Sequence, residues 1–210
     1  MRLRDIILLL LEDYSGDGSN FNVEATAGMD DAEPQIQMDI RIDGDFNPQA
    51  MSHEIHEAAV HEMTHLGQDN VEHVIDKCGL DYFTCLTETE AFASGLLARA
   101  GRTKKSFSVV IDEYLATQVR AGNLKGNEPT QVKEIWMEQA TRLVPKQEEE
   151  KNIFANYITT EVMKAIETGS SGDRLVLAGY SQLARFDPDD PIEKPPIYFY
   201  VDFTVSRLVS

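Results

Sequence analysis

The side chains best suited to chemistry lie in one pentapeptide, His61-Glu62-Met63-Thr64-His65. On a helix, residues four apart sit about 40° apart around the axis and roughly 6 Å along it, so both imidazoles reach a single metal ion. Glu62 falls on the same flank, where its carboxylate can hold a water beside the metal without ligating it. Two imidazoles with a neighbouring carboxylate suit Zn2+ and metal-assisted hydrolysis. A pattern this short arises by accident in on the order of one chain in a hundred of this length. A working site also needs a helical setting, a third ligand, and a strand beside the helix to hold a substrate.

The setting is legible. Asn47-Pro48 supplies an N-cap and a first-turn proline, which predicts a helix from about Pro48 to Gln68. Met51, Ile55, Ala58, Ala59, Glu62 and Leu66 recur near the helical period and mark its buried side. Upstream, Phe21, Val23 and Ala25 alternate with polar residues. Ile36, Met38, Ile40 and Ile42 then alternate with Gln35, Gln37, Asp39, Arg41 and Asp43, predicting two strands, the second ending at Asp43-Gly44-Asp45. A strand at the sheet edge beside this helix could pair with an extended peptide. Two other histidines are set aside: His56 is about 140° around the helix from His61, which predicts a surface position, and His53 is two turns away, at best on a cleft rim.

The third ligand separates the subclasses. The extended pattern HExxHxxGxxH is not followed, because Gly67 is displaced by one position and Val71 stands where a third histidine is required. His73, eight residues beyond His65, is one alternative. A second helix is predicted from Leu86 to a stop at Gly101, and it carries Glu88 and Glu90. Residues two apart point about 200° apart, so only one can face the metal. Thr87 and Glu90 form a capping-box pattern that turns Glu90 back on the helix terminus and leaves Glu88 free, although both glutamates could simply be a solvated first turn. Tyr82, shortly before this helix, is a candidate hydrogen-bond donor to an oxyanion, or else an aromatic closing the core. Asp69 and Glu72 are possible orienting groups for a ligand histidine.

Taken together, His61-Glu62-x-x-His65, Tyr82 and Glu88-x-Glu90-Ala91-x-Ala93 resemble the gluzincin-type HExxH zinc metallopeptidases, especially small ones encoded by bacteriophages and bacteria, whose downstream helix carries a similar E-x-E-A-x-A signature. The resemblance runs from about Met51 to Ala100. It implies an α+β zincin-like fold, with zinc bound by His61, His65 and Glu88, Glu62 as general base, and a protein or peptide substrate. The resemblance does not carry a biological setting; a cytoplasmic one is expected, a host cytoplasm or a virion if the chain is phage-encoded.

Composition sets outer bounds. The 210 residues are 42% apolar, enough for one good core. A net charge of -17, from 36 acidic and 19 basic residues, argues against nucleic acid and anionic membrane surfaces as partners. The two cysteines, Cys78 and Cys85, imply no disulfide framework and favour a reducing compartment. The apolar run Ile6 to Leu11 follows Asp5 and is too short for a signal core, so it predicts a packing helix, and no later stretch approaches the length of a membrane span.

Beyond residue 100, helices are predicted over about Ser106 to Val119, Thr130 to Leu143 and Gln147 to Thr168, with Glu148 to Glu150 as a solvated first turn. Arg99, Arg102, Lys104 and Lys105 form a basic cluster suited to a helix C-terminus. Residues 1–170 are expected to form the catalytic domain, with 171–210 a β segment packed on it. That segment comprises a short strand from Arg174 to Ala178, a loop over Phe186 to Pro196 whose Asp187, Asp189 and Asp190 lack calcium-loop spacing, and a long strand from Ile197 to Val209. The last strand could complete the protein's own sheet or pair with another subunit. Two alternatives to a peptidase are a structural or assembly protein, virion-type, on an inactive or latent peptidase scaffold, and an unrelated helical binding protein.

Overall fold

The computed structural model describes residues 20–30, 33–68, 78–168, 174–179 and 197–206. The expected N-terminal helix, Asp69, Glu72, His73 and the aspartates of the 186–196 loop lie outside them. The fold is α+β. Among the described residues are two strands, β1 (Phe21–Asp30) and β2 (Glu33–Asp43), then six helices, then strands β3 (Arg174–Gly179) and β4 (Ile197–Ser206).

The sheet runs in the order β1-β2-β4-β3. β2 is antiparallel to β1 and parallel to β4, while β3 is antiparallel to β4. This register aligns apolar rows across all four strands: Ala25, Met38, Val201 and Leu175 in one, Ala27, Ile36, Phe199 and Leu177 in the next. A one-residue slip of any strand would turn its apolar set to solvent, so the alternation itself fixes the pairing. β4 is an interior strand. Between Tyr198 and Asp202 its two sides are taken by β2 and β3, and that stretch offers no free edge to another subunit.

One face of the sheet is covered by α1 (Pro48–Leu66) and α6 (Pro145–Glu167), which bring Met51, Ile55, Ala59, Val60 and Met63, and Ala155, Ile158 and Val162, onto the apolar rows. The Asn47 side chain caps α1 as predicted, accepting from the amides of Gln49 (3.0 Å) and Ala50 (3.1 Å). A second core is built by α2 (Leu80–Thr84), α3 (Leu86–Thr103), α4 (Phe107–Arg120) and α5 (Glu128–Ala140) around Phe92 and Trp136, whose rings stack at 4.7 Å. The Trp136 indole donates to the Phe83 carbonyl at 2.9 Å. α3 lies between the cores and packs along α1, and the candidate site sits at the seam between these two helices.

Several expectations are corrected. α3 continues through Gly101 to Thr103 and ends at Lys104, which takes the left-handed conformation (φ 55°). Gly101 faces open space, so nothing there requires a stop. Tyr82 lies on a short helix of its own, α2, which five residues are too few to reveal as a period in the sequence. His56 is buried at 1% exposure, not on the surface, because Arg102 of α3 and Asn152 of α6 close over it. Burial, with the Arg102 charge, holds its pKa down at about 4 against the opposing effect of the Asn152 backbone. Glu148 is not a solvated first-turn residue either: it accepts hydrogen bonds from Ser94 (2.5 Å) and Lys151 (2.6 Å) in a buried tie between α3 and α6. The basic cluster is largely paired, Arg99 with Glu57 and Lys105 with Glu113. No helix among the described residues is long and apolar enough to cross a membrane.

Candidate metal centre

The seam between α1 and α3 is narrow because α3 presents small residues to it. Ala91, Gly95 and Ala98 recur at helical spacing, and a Cβ added at Gly95 would lie 3.2 Å from the Glu57 carbonyl and 3.4 Å from the His61 Cβ. That closeness brings the first turn of α3 beneath the histidines of α1. His61 and His65 direct their Nε2 atoms to one point, 3.1 Å apart, and Glu88 comes up from α3 with Oε2 3.5 Å from His61 Nε2 and Oε1 3.5 Å from His65 Nε2.

These separations fit a tetrahedral ion. Bonds of roughly 2.0–2.1 Å to zinc place adjacent ligand atoms about 3.3–3.4 Å apart. Among the described residues, His61, His65 and Glu88 form the only group of three or more metal-ligating side chains whose donor atoms converge in this way. Glu88 Oε2 is buried with no closer polar partner than His61 Nε2 at 3.5 Å, which leaves lone pairs on it for a cation held between the three side chains. The residues present therefore fit a divalent ion of the zinc type. Glu62 stays outside the converging group, as a base beside a metal must.

The surroundings hold the ligands in place. The His61 ring meets Phe92 edge-on at 4.7 Å, and Phe92 is braced by Trp136, so the second core buttresses one ligand. Gln68, just past the end of α1, sits 3.0 Å from His65 Nδ1 through its Oε1, while its Nε2 donates to the Thr87 carbonyl (2.9 Å) and to Glu90 (3.1 Å). The site is polar at its centre and aromatic at one wall.

Charge is strongly coupled here. Burial alone would raise the pKa of Glu88, but the two histidines outweigh it and hold the carboxyl well below the usual carboxylate range. Burial would lower that of His65, yet Glu88 and Glu62 push it up to about 9. Glu62 goes the other way: burial and the Glu88 charge raise its pKa, against the histidines and the Ala27 backbone, which favour its charged form. Tyr82, on α2, has a phenol raised well above its ordinary value by burial and then by Glu88 and Glu62. It is therefore a hydrogen-bond donor at any ordinary pH.

The residues singled out in the sequence are thus brought together: His61, Glu62, His65, Glu88 and Tyr82 share one site. Their assembly differs from expectation in one respect. Cys85, not Thr87, occupies the N-cap position of α3, and its side chain makes no cap bond. With the helix starting at Leu86, the Thr87 hydroxyl lies inside the first turn, so no capping box forms and Glu90 turns to Gln68 instead. Sequence reasoning missed Gln68; its available signal was a position three residues after His65, on the same helical flank. His53 lines a separate cleft bounded by Arg99, Glu113 and Lys133. Both cysteines are free thiols, and Cys85 is buried with its Sγ donating to the Tyr82 carbonyl.

Comparison with known protein families, curated proteins and solved structures yields no match for this chain.

Proposed function

We propose that the chain is a zinc-dependent metallopeptidase of the gluzincin type. The observation that carries this reading is the convergence of His61, His65 and Glu88 at tetrahedral spacing, with Glu62 buried alongside but outside the ligand group. His61, His65 and Glu88 would hold a zinc ion through two neutral imidazoles and one carboxylate, and it would supply Lewis-acid chemistry toward a carbonyl and a water whose pKa falls toward about 7. Glu62, whose pKa is raised by burial, is suited to accept a proton from the attacking water and return it to the leaving amine. The Tyr82 phenol, kept protonated, is suited to donate to the oxyanion that develops on the substrate.

A peptide substrate is favoured by the neighbouring strand. Among the described residues β1 has a strand partner on one side only, and its Ala27 backbone interacts with Glu62, so an open sheet edge passes beside the base. An extended chain can add to such an edge through backbone hydrogen bonds.

The test is digestion of a mixed peptide library by the zinc-loaded protein, read by mass spectrometry, against Glu62→Gln. Cleavage by the wild type, reduced at least about 100-fold in Glu62→Gln at equal zinc content, supports the reading. Stoichiometric zinc without cleavage of any peptide or protein would transfer the chain to the latent or assembly scaffolds.

A further inference from the structure

The second glutamate of the Glu88-x-Glu90 pair is not needed as a ligand, yet it is tied to the metal helix through Gln68. We propose that Gln68, anchored by Thr87 and Glu90, is a positioning residue that fixes the tautomer and ring plane of His65 so that its Nε2 lone pair faces the metal. This rests on the metallopeptidase reading for its purpose, but its geometric basis stands apart from it.

The direction of each hydrogen bond follows from what its atoms can do. The Thr87 carbonyl only accepts, so the Gln68 group 2.9 Å away must be the amide NH2. The other hydrogen of that NH2 points to the Glu90 carboxylate at 3.1 Å. Both donor positions of Gln68 are then used on α3, and its Oε1 must be the atom 3.0 Å from His65 Nδ1. Oε1 also only accepts, so Nδ1 carries the hydrogen. A neutral His65 with Nδ1 protonated has its free lone pair on Nε2, the atom 3.1 Å from His61 Nε2 and 3.5 Å from Glu88. The opposite tautomer would break the Gln68 contact and aim an N–H at the ligand point.

The two glutamates of α3 therefore divide the work: Glu88 faces the metal, and Glu90 holds the amide that orients a histidine. Residues two apart can do this because their side chains leave the helix in nearly opposite directions, one up toward the histidine pair and one out toward the end of α1. Orienting partners of this kind typically change metal affinity 10–100-fold when removed.

The alternative is that Gln68 only staples the end of α1 to α3. Two measurements distinguish these roles on the full chain. Zinc affinity, from competition with a chelator at pH 8, is expected to fall about 10–100-fold in Gln68→Leu and less in Glu90→Leu, with Glu90→Gln close to wild type because its amide oxygen still accepts from Gln68. Long-range proton–nitrogen NMR of the metal-free protein, at an alkaline pH where its own spectrum shows the ring neutral, is expected to show hydrogen on His65 Nδ1 in the wild type and a shift toward Nε2 in Gln68→Leu. A staple alone would lower the thermal stability of Gln68→Leu and leave both readouts unmoved. The inference is overturned if Gln68→Leu binds zinc as tightly as the wild type, or if wild-type His65 carries its hydrogen on Nε2. Absence of zinc binding by the wild type would instead count against the metallopeptidase reading, and the NMR readout would still decide the tautomer.

Discussion

Zinc binding by this site should release a proton, and the amount is set by His65. In the metal-free protein its pKa is pushed up to about 9 by Glu88 and Glu62 against the opposing effect of burial, so at neutral pH the ring is an imidazolium that must lose a proton to act as a ligand. Glu88, held well below the usual carboxylate range, is already ionised and contributes no proton. Apparent affinity then scales with the fraction of His65 that is neutral. Lowering the pH from 8.5 to 7.0 multiplies the apparent Kd roughly 25-fold, about 1.9 kcal/mol at ~1.36 kcal/mol per pKa unit. The assay is chelator competition at several pH values, corrected for protonation of the chelator. Calorimetry at pH 7.5 in buffers of different ionisation heat counts the protons directly, and about one per zinc is expected. Glu88→Gln removes both the strongest hydrogen bond and one of the two charges that hold the proton on His65, so it should bind zinc more weakly and with a flatter pH dependence over this range. Less than about a threefold change in wild-type Kd between pH 8.5 and 7.0, with no proton released, would refute the reasoning. The sign for folding is opposite. Because the folded-state pKa of His65 exceeds the ordinary histidine value, its contribution to metal-free stability is fully present below about pH 6.5 and is lost as the pH rises through about 9.

Gly95→Ala should gain about 1 kcal/mol of helix propensity but lose about 1–3 kcal/mol to overpacking, since the new Cβ meets the Glu57 carbonyl at 3.2 Å. A net loss of roughly 0–2 kcal/mol in urea unfolding is expected, with weakened zinc binding because the two helices that carry the ligands are pushed apart. Lys151→Met leaves Glu148 buried without its cation and should cost roughly 3–5 kcal/mol, and adding Glu148→Leu should recover much of it. Additive losses in the double variant would show that the pair is not coupled. Tyr82→Phe should keep zinc affinity within about threefold while cutting kcat about 100-fold, as expected for a donor that acts on the reacting oxygen. A loss of zinc with unchanged turnover per zinc would make Tyr82 a packing residue.

Local periodicity carried much of the fold. The alternation of Ile36, Met38, Ile40 and Ile42, the Asn47-Pro48 start and the Met51-Ile55-Ala59 flank each describe one element by itself, and these elements form where the sequence puts them. The site was legible for the same reason, because His61, Glu62 and His65 share one helix. Glu88 was reached for the wrong reason: the capping box that singled it out does not form, and what turns it to the histidines is the close approach of α3 at Gly95. His56 and Glu148 were misplaced because their burial depends on helices packing across long stretches of chain, which no local pattern encodes. Gln68 was missed because its place three residues after His65 says nothing of its contacts with Thr87 and Glu90, which form only once the end of α1 meets the first turn of α3. The order of the sheet, with the C-terminal strand β4 inserted between β2 and β3, likewise depends on pairing between distant segments.

The most direct test of the metal centre is zinc content by elemental mass spectrometry on protein purified without a metal-affinity tag, comparing the wild type with His65→Ala, Glu88→Gln and Glu90→Gln. The geometry predicts about one zinc per wild-type chain, most of it lost in His65→Ala and Glu88→Gln and retained in Glu90→Gln, whose side chain serves Gln68 and not the metal. A wild-type chain that neither carries zinc nor can be loaded with it would contradict the account, and so would loss of zinc on changing Glu90 with retention on changing Glu88.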